Sequence, residues 1–221
     1  MLLREGACGR VGRGFATKKC GTGRLRAGFA MQEETTMAIR LENRSTEELL
    51  RDGLFHWATL TADPRTATMA AGIEAANERL KGAHSATQEC DKVRMYSQAV
   101  LQRSDFELDA RIRLVELEVE GAVHKDRRSA AYQAIFPDGL EAVTKLRGEA
   151  QAREVSRMRG AMQRHLPALH QKHAADLEAL EKVTIEADRS WKQADARSTA
   201  AFAEEVEDRR RLVETLRKSE G

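Results

Sequence analysis

The chain has 221 residues, of which 33% are charged and only 5% aromatic, with just three prolines. Ala, Glu, Arg and Leu dominate, which is the profile of long solvated helices and lacks the aromatic bulk that fills an ordinary enzyme core. The net charge of +2 is unevenly placed: residues 1–36 carry seven Lys or Arg against three Glu, and residues 37–221 carry 30 basic and 32 acidic side chains, a solvated surface and not a nucleic-acid footprint.

Cys8, Cys20 and Cys90 are an odd set without C-x-x-C spacing, which argues against a disulfide-stapled secreted domain. No stretch approaches the ~18 apolar residues of a membrane span, and the N-terminus lacks a secretory apolar region. A cytoplasmic protein is expected.

Residues 1–30 hold seven of the fifteen glycines, and Glu5 is their only acid. With no periodicity of 3.6 or 2, the segment 1–36 reads as a disordered basic arm ahead of a single all-α domain, 37–221. Three origins compete for it. One is a mis-assigned start, with translation beginning at Met31 or Met37. Another is a tail that contacts nucleic acid or acidic lipid through mobile arginines such as Arg10 and Arg13. The third is an organelle transit peptide.

From Ser45 the helix signals are regular. Ser45 and Glu48 form a capping box. The helix they open carries Leu49, Leu50, Leu54, Trp57 and Leu60, and ends before Asp63-Pro64, where Asp63 is placed to cap the next helix with Pro64 at its first position. That second helix shows Met69, Ile73, Ala76 and Leu80, and Lys81-Gly82 reads as its end. A further capping box at Ser85-Ala86-Thr87-Gln88 opens a long helix to about Phe136. Within it Leu101, Asp105, Leu108, Ile112, Val115, Val119, Ala122 and Asp126 alternate in steps of four and three, a heptad seam with charged ends. Residues 106–114 also alternate apolar and polar in the manner of a strand, but no second strand-like run exists to pair with them.

Phe136-Pro137-Asp138-Gly139 is the clearest turn. After it, Leu140, Val143, Leu146, Ala150, Val155, Met158, Met162 and Leu166 face inward on one helix, and Pro167 kinks or breaks that helix. The last helix, from Ala168 to about Lys218, has a seam of Leu177, Leu180, Thr184, Ala187, Trp191, Ala194, Ser198 and Ala201. Pairs such as Glu178/Lys182, Asp188/Lys192 and Glu205/Arg209 are assigned to its exposed side. Small seam residues bury little area, so this helix requires partners.

Motifs that would carry chemistry are weak. The best metal candidates are His170, His173 and Asp176, close on one helix but a poor ligand set alone. Cys90 has no base partner, and no glycine loop completes a phosphate-binding fingerprint. Trp57, Trp191, Tyr96 and Tyr132 read as core or seam anchors. No catalytic residue and no cofactor is assigned.

The reading is an elongated antiparallel helical hairpin, a coiled-coil-like bundle, folded back at 136–139 into arms 64–135 and 140–219. Its function is expected to be that of a non-enzymatic scaffold acting through helix–helix association, with a second copy of itself or with another helical protein as partner. The alternatives are a nucleic-acid-associated protein using the basic arm and a helical metal-binding protein. Folding at 138 sets Phe202, Val206 and Val213 beside residues 55–75, so Phe55 and Trp57 join them in one apolar end. Either the 45–60 helix or a second copy in a symmetric dimer would cover that end.

Overall fold

The computed structural model describes residues 43–220. Of these, 88% are helical and none is in a strand, so the chain is all-α over its described length. The basic arm, 1–36, lies outside the described residues.

Helix α1, Thr46–Ala62, starts with the expected capping box: Glu48 N–H donates to Ser45 Oγ at 3.2 Å and Ser45 N–H to Glu48 Oε2 at 2.8 Å. Asp63 does not cap the next helix. It accepts the Arg65 N–H at 3.0 Å and the Arg65 guanidinium, which ties Asp63–Thr66 into a turn. Pro64 sits in that turn, and α2 begins only at Ala67.

Helix α2, Ala67–Ala122, runs unbroken through Gly82 and Ser85, contrary to the stop and capping box expected there. A lone glycine in an exposed helix interior costs only about 1 kcal/mol, and Gly82 has open space around it. The seam outweighs that cost. Its residues Ala70, Ile73, Leu80, Thr87, Asp105, Leu108, Ile112, Val115 and Val119 are all buried and continue one three-four alternation across the expected break.

Helix α6, Pro167–Glu220, lies antiparallel to α2. The register is set by contacts along the pair: Lys172 and His173 with Glu118, Asp176 with Arg111, Ser198 with Asp91, and Glu205 with His84. At 56 and 54 residues the two helices are each about 80 Å long. The α6 seam is as expected, with Leu177, Thr184, Ala187, Ala194, Ser198 and Ala201 buried.

The fold-back is not at the 136–139 turn. Helix α2 ends at Ala122, well before Phe136, and His124 and Lys125 follow with φ of 54° and 65°. The connection is a cap of three helices: α3, Ala130–Ile135; α4, Leu140–Thr144; and α5, Gly148–His165. The arms are therefore 67–122 and 167–220, not 64–135 and 140–219. Two local causes stop α2. Arg127 turns back to pair with Glu116 and Glu120, and Ser129 Oγ accepts the Tyr132 N–H to start α3. The Phe136–Gly139 turn forms, with Gly139 at φ 79°, but joins two short helices inside the cap. A second break, at Lys145–Arg147, interrupts the helix expected to run from 140 to 166 and leaves Ala150 exposed. Pro167 breaks the chain into two helices, as the first residue of α6, where its missing N–H is no loss.

The cap closes over the main core. Leu108, Ile112, Val115 and Val119 of α2 meet Tyr132, Ile135, Phe136, Val155, Met158, Met162 and Leu177. Arg157 of α5 donates to the Ala134 and Ile135 carbonyls at 2.9 and 2.8 Å, satisfying the end of α3. At the other end α1 lies on the hairpin. Thr46 Oγ1 reaches Glu205 at 2.6 Å, and Gly53 stands against Asn77 and Leu212. Leu49, Ile73, Leu80, Leu212 and Leu216 are buried at these levels. Among the described residues, the middle of the hairpin is formed by α2 and α6.

Replacing Gly82 by Ala is expected to raise unfolding stability by up to about 1 kcal/mol in urea denaturation. A loss of stability would mean that the helix ends there.

Candidate functional site

The first N–H groups of a helix need partners, and α5 has no local one: its N-cap, Arg147, offers no side-chain acceptor. The two long helices supply them. Asp105 of α2 accepts the Gly148 N–H at 3.0 Å, and Asp188 of α6 accepts the Glu149 N–H at 3.0 Å. Both carboxylates face the positive end of the α5 dipole. The approach requires glycine at 148, whose φ is 57° and whose Cβ would lie 2.7 Å from the Asp188 carboxyl carbon.

The two acids are poised differently. Burial pushes the Asp105 carboxyl above its ordinary range, against the Gly148 N–H and Arg147, which act to lower it; the charges of Asp109 and Asp188 add to the rise. At Asp188 burial acts in the same direction. There the Lys192 ammonium at 2.8 Å and the Glu149 N–H prevail, and the carboxyl stays below the usual range. Beside them Asp109 takes Arg147 at 3.3 Å and the Gln151 amide, while Arg147 also donates to the Thr144 and Leu146 carbonyls.

A cleft of about 570 Å³ opens here, lined by Leu101, Phe106, Gly148, Trp191 and the three aspartates. Its carboxylates are committed to helix capping and to Arg147 and Lys192. The chemistry they perform is to lock α5 to both arms of the hairpin.

Two other polar clusters hold helices together. Glu205 is buried, not on the exposed side of α6. It is held below the ordinary carboxylate range although burial opposes this, because Thr46, Thr87 and His84 hydrogen-bond to it. In the cap, burial and the hydrogen bond to Glu116, 3.0 Å long, push the Tyr132 hydroxyl up to about 12.

The candidate metal residues are not brought together. His173 is buried with Nε2 3.0 Å from Glu118, Asp176 is engaged by Arg111, and His170 stays half-buried. Among the described residues no group of three or more His, Cys, Asp or Glu is placed to hold a metal ion. The candidate interface residues are also dispersed. Val213 is buried, Trp57 and Val206 are half-buried, and Phe55 and Phe202 are exposed. Because Gly53 lies against Leu212 and Thr46 against Glu205, Phe55 stands about 18 Å along the axis from Phe202. The end of the hairpin is covered by α1 of the same chain. Asp105, Asp188 and Gly148 were not singled out as a site from the sequence. Their one sequence signal is an aspartate at a seam position between Leu101 and Leu108.

Fold and site together define an all-α helical bundle built on one long hairpin and locked at its cap by buried acids. Comparison with protein-family models, curated proteins and solved structures gives no match. No helix among the described residues is long and apolar enough to cross a membrane.

Asp105→Asn keeps an acceptor for Gly148 and removes the charge. The raised Asp105 carboxyl favours the folded state below its ordinary value of 3.8, and that contribution is lost as pH rises through the raised value. The asparagine variant should therefore gain on wild type in thermal stability between pH 3.5 and pH 7; a difference independent of pH would contradict this. Gly148→Ala should cost about 2 kcal/mol or more, combining the left-handed conformation with the collision at Asp188, as read by urea unfolding.

Proposed function

We propose that this chain is a non-enzymatic scaffold that works through helix–helix association, and that its partner is a second copy of itself. The observation carrying this reading is the number of large apolar side chains on the outer surface of a well-packed bundle. Phe55 is 70% exposed, Tyr96 and Phe106 each 73%, and Leu117 63%. Scattered single residues such as Phe55 on α1 need no explanation, but Tyr96, Phe106 and Leu117 all stand on α2, and exposed apolar groups gathered on one element favour association.

Sedimentation equilibrium of the full chain across a hundredfold concentration range tests it. The expected result is a mass rising toward twice 24.7 kDa. A mass that stays at the single-chain value over the whole range would overturn the reading.

A further inference from the structure

Helix α2 carries two stripes of heptad spacing. The inner one is the buried seam against α6 and the cap. The outer one starts at Val93 and Tyr96, continues through Val100, Arg103 and Glu107, and ends at Ala110, Leu114 and Leu117, in steps of three and four. All of these side chains are exposed. A period of 3.5 keeps both stripes on opposite sides of α2 along its length. From Val93 to Leu117 the outer stripe spans about 36 Å.

We infer that a second copy of the chain docks antiparallel on this outer face of α2, with the two-fold axis at the level of residue 105. The inference rests on the self-association reading and adds the surface and the register. The stripe is complementary to itself about that level. Arg103 and Glu107 lie two residues to either side, so each copy's arginine faces the other's glutamate. Val100 and Ala110 lie five to either side and face each other. Farther out, Tyr96 meets Leu114 and Val93 meets Leu117. Every apolar residue of the stripe thus opposes an apolar one, and the single charged layer opposes its own opposite.

Other pairings lose this match. A parallel dimer in register sets Arg103 against Arg103 and Glu107 against Glu107. Shifting the antiparallel pair by one heptad sets Arg103 against Val100 and Glu107 against Tyr96, or Arg103 against Leu114 and Glu107 against Ala110. Like charges in contact and charges buried on apolar groups both disfavour binding. In the single chain Arg103 and Glu107 already pair with each other at 2.9 Å along the helix, both well exposed, so they are placed to exchange partners on docking. The contact is isologous, as a two-fold dimer requires.

The test uses the full chain and two single variants, Arg103→Glu and Glu107→Lys, with far-UV circular dichroism to check that helix content is kept. Each variant alone sets like charges across the axis. Its dimer dissociation constant, from sedimentation equilibrium, should rise about tenfold or more. An equimolar mixture restores opposite charges in the heterodimer and should associate with near wild-type affinity. If both variants dimerise as well as wild type, or the mixture is no tighter than either variant alone, the α2 interface is wrong while self-association stands. If the wild-type chain is monomeric throughout, both proposals fall.

Discussion

A helix of 56 residues with a stripe of Leu80, Leu108, Ile112, Val115 and Val119 has no stable existence alone in water. Each of those side chains adds roughly 1.5–3 kcal/mol when buried, and only a neighbour running the full length can bury them all. Helix α6 is that neighbour, and the smaller elements are arranged around the pair. Helix α1 thickens the hairpin where Leu212 and Leu216 need cover, and the cap thickens it where Leu108 to Val119 do. Between these ends the seam turns to Ala194, Ser198 and Ala201, whose small side chains let two helices pack closely.

Apolar seams tolerate sliding, because one heptad resembles the next. The polar contacts along this hairpin do not. Glu205 must meet both Thr46 and His84, Ser198 must meet Asp91, and Glu118 must meet His173. A slip by one heptad would leave those groups buried without partners, at a cost of about 1–3 kcal/mol each. The polar groups set the register, while burial of the apolar ones supplies the stability. The Asp105 and Asp188 pair does the same for α5, whose first two N–H groups have acceptors only when both long helices are in place. Arg157 repeats the device in reverse at the end of α3.

The arrangement also explains which acids feel the interior. Glu205 and Asp188 are buried yet kept below the ordinary carboxylate range by the donors around them. Their contribution is therefore present above the ordinary carboxylate range and is lost on acidification. Asp105 and Glu181 run the other way, since burial raises both. The hairpin is thus held by acids that respond to pH in opposite senses, with the raised ones close to the cap.

How much of this was legible beforehand depends on the range of the interaction involved. The Ser45–Glu48 box, the helix over 46–62, the turn at 136–139 and the 3.5-residue alternation from Leu101 to Val119 are local patterns, decided by backbone sterics and side-chain period within a few residues, and these the residues themselves determined. The break expected at Gly82–Ser85 does not form, because local propensities of about 1 kcal/mol are small beside burial of Ile73, Leu80 and Leu212 between distant helices, whereas α2 ends at Ala122 and not near Phe136 because Arg127 folds back onto Glu116 and Glu120. Asp188 and Glu205 look like surface residues in i, i+4 pairs until α5 and α1 arrive to bury them. Gly148 looks like any glycine until Asp188 stands where its Cβ would be. The sequence by itself determined that the chain is all-α and where its heptad stripes run. Only the tertiary structure decided which end α1 covers and which acids become caps, because those outcomes depend on contacts between residues 39 to 159 positions apart.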